Sequence, residues 1–215
     1  MKVLAINGSP RPDGNTATAL RLALQELEHE SLRRWHEGID TELVTIGQKT
    51  IRGCLACFRC RERQEQRCAI DGDEVNAWIP KMLEADGLLL GSPVYYSGIN
   101  GTMKSFLDRA FFAAGAALRH KVGAAVVAVR RSGGSASFDQ LNKYFLISQM
   151  LVVGSNYWNI IHGLMPGESS QDAEGRQIMQ TLGRNMAWLL KLIDHGQSAF
   201  APPTPEEKIM TNFVR

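Results

Sequence analysis

Residues 3–16 read Val3-Leu-Ala-Ile-Asn-Gly-Ser-Pro-Arg-Pro-Asp-Gly-Asn-Thr16, a short apolar run followed by glycine, proline and small polar residues. The apolar run predicts a buried strand that ends in a turn. Apolar side chains then recur at helical spacing from Thr16 to Arg34, which predicts a helix with Asn15 or Thr16 as its N-cap. A loop between a buried strand and a helix is a common anion site, because backbone N–H groups and the helix dipole both favour negative charge there. The alternative is an ordinary capped turn.

The same alternation of strand and helix continues along the chain. Further strands are predicted at 42–46, 87–91, 122–129 and 151–153, and further helices at 73–83, 102–112, 137–150 and 171–192. Pro80 is expected to interrupt the second helix, because proline lacks the N–H that a helix interior needs. Short apolar strands separated by helices predict an α/β fold, a doubly wound five-stranded parallel sheet with helices on both faces. Ligands of such sheets bind at the carboxyl ends of the strands.

Composition narrows the functional classes. The chain has 215 residues and is 44% hydrophobic, a composition typical of a globular domain. Its net charge of +2 is too small to indicate a nucleic-acid partner. We expect one domain over residues 1–200, with a cysteine-containing insert at 50–70, and a tail at 201–215 that begins with a proline-rich stretch. No apolar run approaches the length of a membrane span and no signal-peptide pattern follows Lys2, so a cytoplasmic location is expected.

Two loop motifs resemble the flavin-binding loops of the NADPH-dependent FMN reductase family. They are Gly8-Ser-Pro-Arg-Pro-Asp-Gly-Asn-Thr16 and Gly91-Ser-Pro-Val-Tyr-Tyr-Ser-Gly98, and the resemblance extends over about residues 1–155. It implies a flavodoxin-like fold in which the first motif holds the FMN phosphate and the second borders the ring and the ribityl chain. The residues so implied are Ser9, Arg11, Asn15, Thr16 and Ala17 for the phosphate, and Pro93, Val94, Tyr95, Tyr96, Ser97 and Gly98 for the ring and chain.

The residues of the later loops are compatible with this assignment. Pro93 to Tyr96 offers a stiff aromatic edge suited to a flat ring, although one of the two tyrosines is expected to cap the core instead. The loop after the fourth strand contains Arg131, Ser132, Gly133 and Gly134. Its backbone donors and its cation would lie near the negative charge of a reduced flavin and tune the flavin's reduction potential. The alternative is a solvated turn.

All four cysteines lie close together, at Cys54, Cys57, Cys60 and Cys68, with the spacing C-x2-C-x2-C-x7-C. This spacing resembles that of the iron–sulfur flavoproteins, a branch of the same superfamily, which implies a [4Fe-4S] cluster ligated by the four thiolates. Zinc on the same thiolates and free thiols near the flavin are the alternatives. The stretch from Cys57 to Arg63 also fits the C-x5-R loop of cysteine-dependent phosphatases, but Phe58, Arg59 and Arg61 are too bulky for a phosphate cradle.

These observations together predict an FMN-dependent oxidoreductase that passes hydride from NAD(P)H to the flavin and then electrons to a quinone, flavin, metal-ion, oxygen or protein acceptor. The flavin carries the chemistry, so no catalytic side chain is assigned. A homodimer or tetramer is implied by the resemblance. Two alternatives remain: an electron-transfer protein that relays electrons between a [4Fe-4S] cluster and FMN, and a protein that holds FMN without turnover.

Overall fold

The computed structural model describes residues 1–211 as alternating strands and helices. The strands are β1 (Lys2–Asn7), β2 (Asp40–Thr45), β3 (Gly87–Tyr95), β4 (Gly98–Ile99), β5 (Val122–Val129), β6 (Leu151–Val152) and β7 (Ile160–His162). The helices are α1 (Asn15–Trp35), α2 (Arg59–Arg63), α3 (Val75–Glu84), α4 (Gly101–Ala114), α5 (Gly134–Ile147) and α6 (Ala173–Gly196). Two short 3₁₀ helices, Gly115–Leu118 and Glu168–Gln171, complete the regular structure of these residues.

The sheet is parallel along the order β2-β1-β3-β5-β6, as a doubly wound fold requires. It has seven strands rather than the predicted five. Two short strands take the place of the predicted fifth strand, because β6 pairs with the start of β5 and β7 pairs with its end. The polar stretch Gly154-Ser-Asn156 lies between the two short strands and separates them. The extra strand β4 is the short return arm of a tight turn at the end of β3.

Helices cover both faces of the sheet, as predicted. On one face α3, α4 and α5 bury side chains such as Phe106 and Phe145. On the other, α1 and α6 pack together and bury Leu20 and Met179. Strand β5 is buried along its whole length, which explains why its sequence is continuously apolar.

Pro80 lies inside α3 and does not interrupt it, contrary to expectation. The proline is exposed, whereas Val75, Trp78, Ile79 and Met82 of the same helix are buried. Packing of this apolar side compensates for one missing backbone hydrogen bond.

Residues 201–211 form neither helix nor strand and are exposed. The carbonyl of Pro203 accepts a hydrogen bond of 2.9 Å from Arg119 Nη2. The remainder of the predicted tail, residues 212–215, lies outside the described residues. Among residues 1–211, every helix is too short or too polar to cross a membrane.

Candidate functional site

Three loops lie side by side at the carboxyl edge of the sheet, because they follow the neighbouring strands β1, β3 and β5, and the strand order reverses between β1 and β3. Loop 1 (residues 8–14) joins β1 to α1, loop 2 (residues 96–97) joins β3 to β4, and loop 3 (residues 130–133) joins β5 to α5. Such a reversal leaves a crevice outside the strand ends, which is where ligands of open α/β sheets bind. The predicted location of the site is therefore the place where the fold offers a crevice.

Loop 1 is shaped by short hydrogen bonds within its own sequence. Asn7 Oδ1 accepts from the Ser9 amide at 3.0 Å, and Ser9 Oγ accepts from the Arg11 amide at 3.1 Å. The Gly14 amide donates to the Arg11 carbonyl at 3.2 Å. Asn7 and Ser9 are buried, whereas Arg11 is exposed, so the loop has a fixed base and a cationic rim.

The first turn of α1 is buried but has no side-chain cap. Its N-cap is Gly14, not Asn15 or Thr16 as predicted, and the turn contains no acidic residue. The side-chain amide of Asn15 does not cap the helix, because it is hydrogen-bonded to the backbone of Met165 and Ser169. Asn15, Thr16 and Ala17 are all buried, and no side chain caps their N–H groups at the positive end of the helix. This arrangement fits a bound phosphate.

The side chains of Arg11 and Asn15 connect loop 1 to the segment before α6. Asn15 Nδ2 donates to the Met165 carbonyl at 3.0 Å, and Asn15 Oδ1 accepts from the Ser169 amide at 3.3 Å. The Arg11 guanidinium donates to the Leu164 carbonyl at 3.3 Å. Sequence reasoning missed this segment, because nothing local in it indicates a contact with a loop 150 residues earlier.

The end of β3 and loop 2 present two tyrosines to solvent. Pro93 and Val94 are partly buried, whereas Tyr95 and Tyr96 are exposed, so the expectation that one tyrosine caps the core is wrong. Tyr96 and Ser97 both have positive φ, 50° and 60°. Asn100 caps α4, and its Oδ1 accepts from the amides of Thr102 and Met103.

Loop 3 lies directly against loop 2. Gly133 has a φ of 86°, and a Cβ at this position would lie 2.8 Å from Ser97 Cα and 3.0 Å from Val94 Cγ1. Only glycine allows this approach of the two loops. Arg131 and Ser132 are exposed, and Gly134 begins α5 without a side-chain cap. The predicted ring-binding residues of both loops therefore form one continuous surface.

A cleft of about 360 Å³ adjoins loop 3 on its other side. Tyr157 and Trp158 line it as an edge-to-face pair with centroids 4.6 Å apart, and His162 and Asp172 line it too. Burial raises the pKa of Asp172, but the hydrogen bonds from the amides of Gly175 and His162 outweigh it and hold that pKa below its usual range. Sequence reasoning missed this aromatic pair. The signal that could have indicated it is two adjacent aromatic residues that follow an interrupted strand.

The cysteine segment (residues 50–70) packs against α4 rather than forming part of the loops. Cys54 and Cys57 are exposed, whereas Cys60 and Cys68 are buried. Burial raises the pKa of the Cys60 thiol, and neighbouring Cys68 raises it further. The donor set of four thiols has the right chemistry for a [4Fe-4S] or zinc site. Within residues 1–211, however, no three His, Cys, Asp or Glu side chains are arranged to hold a metal ion, so the cluster, zinc and free-thiol interpretations stay predictions.

Comparison with known proteins confirms the resemblance to the FMN reductase family. The family model described as NADPH-dependent FMN reductase matches residues 1–164. An iron–sulfur flavoprotein of Methanocaldococcus jannaschii is 39% identical over 201 residues, covering 90% of this chain and 99% of that protein. An iron–sulfur flavoprotein of Methanosarcina thermophila is 29% identical over 197 residues, covering 90% of this chain and 97% of that one.

Solved structures share the architecture at low sequence identity. RosB, solved with a bound formylriboflavin phosphate intermediate, matches with a TM-score of 0.69 at 15% identity, over 100% of this chain and 94% of RosB. A flavodoxin from the domain Archaea matches with a TM-score of 0.58 at 16% identity, over 89% of this chain and 99% of that one. The fold is flavodoxin-like, as predicted. The chain therefore belongs to the NADPH-dependent FMN reductase family, as an FMN-dependent oxidoreductase similar to the iron–sulfur flavoproteins.

Proposed function

We propose that this chain binds FMN at the carboxyl edge of its sheet and passes electrons from NAD(P)H through the flavin to an acceptor. The observation that carries the proposal is the position of loops 1, 2 and 3, which follow neighbouring strands beside the uncapped first turn of α1, with loops 2 and 3 in contact. A buried row of unpaired N–H groups favours a phosphate, and the adjoining aromatic and glycine-rich loops favour a flat ring.

The phosphate is expected on loop 1 and the first turn of α1. Arg11 and Asn15 already donate to the carbonyls of Leu164 and Met165. Asn15 therefore contributes its backbone N–H rather than its amide side chain, and Arg11 contributes its positive charge. The residues proposed to hold the phosphate are Ser9, Arg11, Asn15, Thr16 and Ala17.

The ring is expected against loops 2 and 3, where Gly133 lets the two loops touch. FMN, when bound, supplies the chemistry of accepting a hydride and releasing electrons one at a time. The chain's own groups orient the ring and stabilise negative charge on it, through the N–H groups of loop 3 and the nearby Arg131 cation. The proposed residues are Pro93, Val94, Tyr95, Tyr96, Ser97 and Gly98 of loop 2 and its flanks, and Arg131, Ser132, Gly133 and Gly134 of loop 3 and the start of α5.

A second candidate function is electron transfer between a [4Fe-4S] cluster and FMN. It is favoured by the four cysteines of one segment and by the names of the relatives from M. jannaschii and M. thermophila. Such a cluster would supply one-electron transfer, with Cys54, Cys57, Cys60 and Cys68 as its ligands. The electron donor would then be a partner protein, and no nicotinamide would bind.

The remaining properties of this proposal concern partners and location. A small-molecule or protein acceptor fits the open crevice, and a homodimer or tetramer is supported by large apolar side chains that are exposed beside β6. A cytoplasmic location is supported by the four free cysteines, which a reducing compartment keeps as thiols or metal ligands.

Absorbance spectroscopy of protein purified without air tests both candidates, followed by NADH and NADPH oxidation with an artificial acceptor. Flavin bands with steady nicotinamide oxidation would support the reductase. Flavin bands over a broad brown absorption, lost on treatment with chelator and oxidant, with no nicotinamide oxidation, would support electron transfer through a cluster. No flavin after FMN is added back would overturn both.

A further inference from the structure

The cleft beside loop 3 extends from the proposed flavin site toward the start of α6. Val129, Ile160 and Ile178 give it apolar walls where β5, β7 and α6 come together. Its volume of about 360 Å³ lies at the lower end of the range for small-molecule sites, which is about 300–1,000 Å³. The cleft therefore suits one half of a dinucleotide better than a whole one.

Tyr157 and Trp158 give the cleft an aromatic wall. Both side chains stay more than half exposed, at 57% and 54%. The backbone next to the pair is fixed, because the buried side chain of Asn159 donates from Nδ2 to the Ala125 carbonyl at 3.0 Å. An exposed aromatic wall on a fixed backbone is suited to stacking a flat base.

The ionisable groups of the cleft include both a cation and carboxylates. They are Arg131, His162, Asp172 and Glu174. Asp172 is already engaged, since its carboxylate accepts from the Gly175 amide at 2.9 Å and from the His162 amide at 2.7 Å. Arg131 and Glu174 are exposed. The cleft thus offers a cation for a phosphate and a carboxylate that can accept hydrogen bonds from hydroxyl groups.

This combination matches a nucleoside whose ribose hydroxyls are unmodified. In dinucleotide sites a carboxylate accepts from the ribose hydroxyls of NAD, whereas an arginine accommodates the additional ribose phosphate of NADP. Within residues 1–211 the cleft wall contains one such cation, Arg131. It lies on loop 3, between the cleft and the ring site, which is where a pyrophosphate would pass. The ribose end of the cleft is then left with Glu174, which repels a phosphate.

We propose that the cleft binds the adenosine half of NADH and selects NADH over NADPH, an inference that rests on the proposed reductase function. The adenine stacks on Tyr157 and Trp158, the ribose hydroxyls donate to Glu174, and the pyrophosphate lies at Arg131. The nicotinamide half extends past loop 3 toward the ring. Glu174 is therefore the residue that determines which donor is used, because it favours one nucleotide and disfavours the other.

Binding of two donor fragments tests this proposal without turnover. ADP-ribose carries the adenosine half of NADH, and ADP-ribose 2′-phosphate carries that of NADPH. Each is titrated by calorimetry, at one salt concentration, into FMN-loaded wild type and the variants Trp158→Ala, Glu174→Gln and Trp188→Ala. The last is the matched control, since Trp188 of α6 is exposed to a similar degree, at 58%, but does not line the cleft.

The wild type is expected to bind ADP-ribose about tenfold more tightly than its phosphate analogue, because bringing like charges together disfavours binding. Glu174→Gln should bring the two Kd values close together. Trp158→Ala should raise both Kd values about tenfold through the loss of stacking, and Trp188→Ala should match the wild type. FMN content and the flavin spectrum should be the same in all four proteins.

Three results would overturn the inference while leaving the reductase function intact. They are a wild-type preference for the phosphate analogue, a Kd ratio that Glu174→Gln leaves unaltered, and wild-type Kd values in Trp158→Ala. If sedimentation showed that Trp158→Ala also lost oligomer mass while keeping those Kd values, the aromatic pair would be an interface between copies. Wild-type protein that oxidises neither NADH nor NADPH with an artificial acceptor would overturn the reductase function, and the inference with it.

Discussion

Gly47 shows how one residue outside the recognisable motifs fixes the shape of the phosphate loop. A Cβ at this position would lie 2.2 Å from the carbonyl carbon and oxygen of Ser9 and 2.4 Å from the carbonyl oxygen of Gly8. Such separations are far inside van der Waals contact, so the turn after β2 can pass beneath loop 1 only as glycine. The base of the proposed FMN phosphate site is therefore packed as closely as a protein core.

Gly47→Ala is expected to displace loop 1 and weaken FMN binding. Overpacking of a tight contact costs about 1–3 kcal/mol, and each 1.4 kcal/mol lost from binding raises the Kd about tenfold. Flavin fluorescence titration of the apoprotein measures the Kd directly.

Gly38→Ala is the matched control, since a Cβ at that glycine would meet no atom within 4 Å. Its Kd should equal that of the wild type. If Gly47→Ala also bound FMN with the wild-type Kd, the phosphate would have to lie away from loop 1.

At the scale of elements, the β3–β4 hairpin is built on a turn that its own residues disfavour. Tyr96 and Ser97 occupy the two central positions with positive φ, the geometry of a type I′ turn, for which Asn-Gly is the preferred pair. A bulky residue in this conformation is strained, and such strain concentrates at functional sites. The tyrosine is expected to be kept for its contact with the ring rather than for the turn.

Replacing both residues, as Tyr96→Asn with Ser97→Gly, should therefore stabilise the fold and impair the site. Relief of about 1–3 kcal/mol of strain would raise the Tm of a domain of this size by several degrees, while loss of the aromatic ring weakens FMN binding. Ser97→Gly alone retains Tyr96, so it should raise the Tm and weaken FMN binding less than the double variant does. Calorimetry and flavin titration of the two variants test this, and a double variant with unaltered FMN affinity would exclude Tyr96 from the ring contact.

The elements that could be predicted from the sequence are those with a strong local pattern. Strands β1 and β5 are continuous apolar runs, and the loop after β1 combines turn residues with a following helix. A doubly wound sheet places such loops at one edge, so the location of the site could also be predicted from the sequence. The helix ends and the N-cap of α1 were predicted less accurately. Asn15 does not cap α1, because its side chain donates a hydrogen bond to the Met165 carbonyl instead.

What could not be predicted depends on contacts between distant parts of the chain. Strand β7 has three residues and exists only through its pairing with β5. Arg109 sits in an amphipathic helix, and its burial follows from the way the cysteine segment folds over α4. In both cases the deciding partner lies far away in sequence, where no local periodicity reports it.

At the scale of the whole molecule, one edge of the sheet exposes an apolar surface. Strand β6 ends the order β2-β1-β3-β5-β6, and Leu146 and Ile147 at the end of α5 are exposed beside it, together with Leu151 and Val152 of β6 itself. Exposed strand edges and contiguous apolar patches are typical of association surfaces. We refer to these four residues as the β6 edge and expect it to be covered by a second copy of the chain.

Ile147→Glu is expected to dissociate the proposed homo-oligomer, because Ile147 is 76% exposed and a carboxylate there would lose its hydration inside an interface. Sedimentation velocity should give the mass of a dimer or tetramer for the wild type and that of a monomer for the variant. Leu32→Glu is the control, since Leu32 of α1 is also a largely exposed apolar residue, at 54%, but does not belong to the β6 edge, and its assembly should match the wild type. A monomeric wild-type protein, or an Ile147→Glu protein that assembles normally, would remove the β6 edge as the interface.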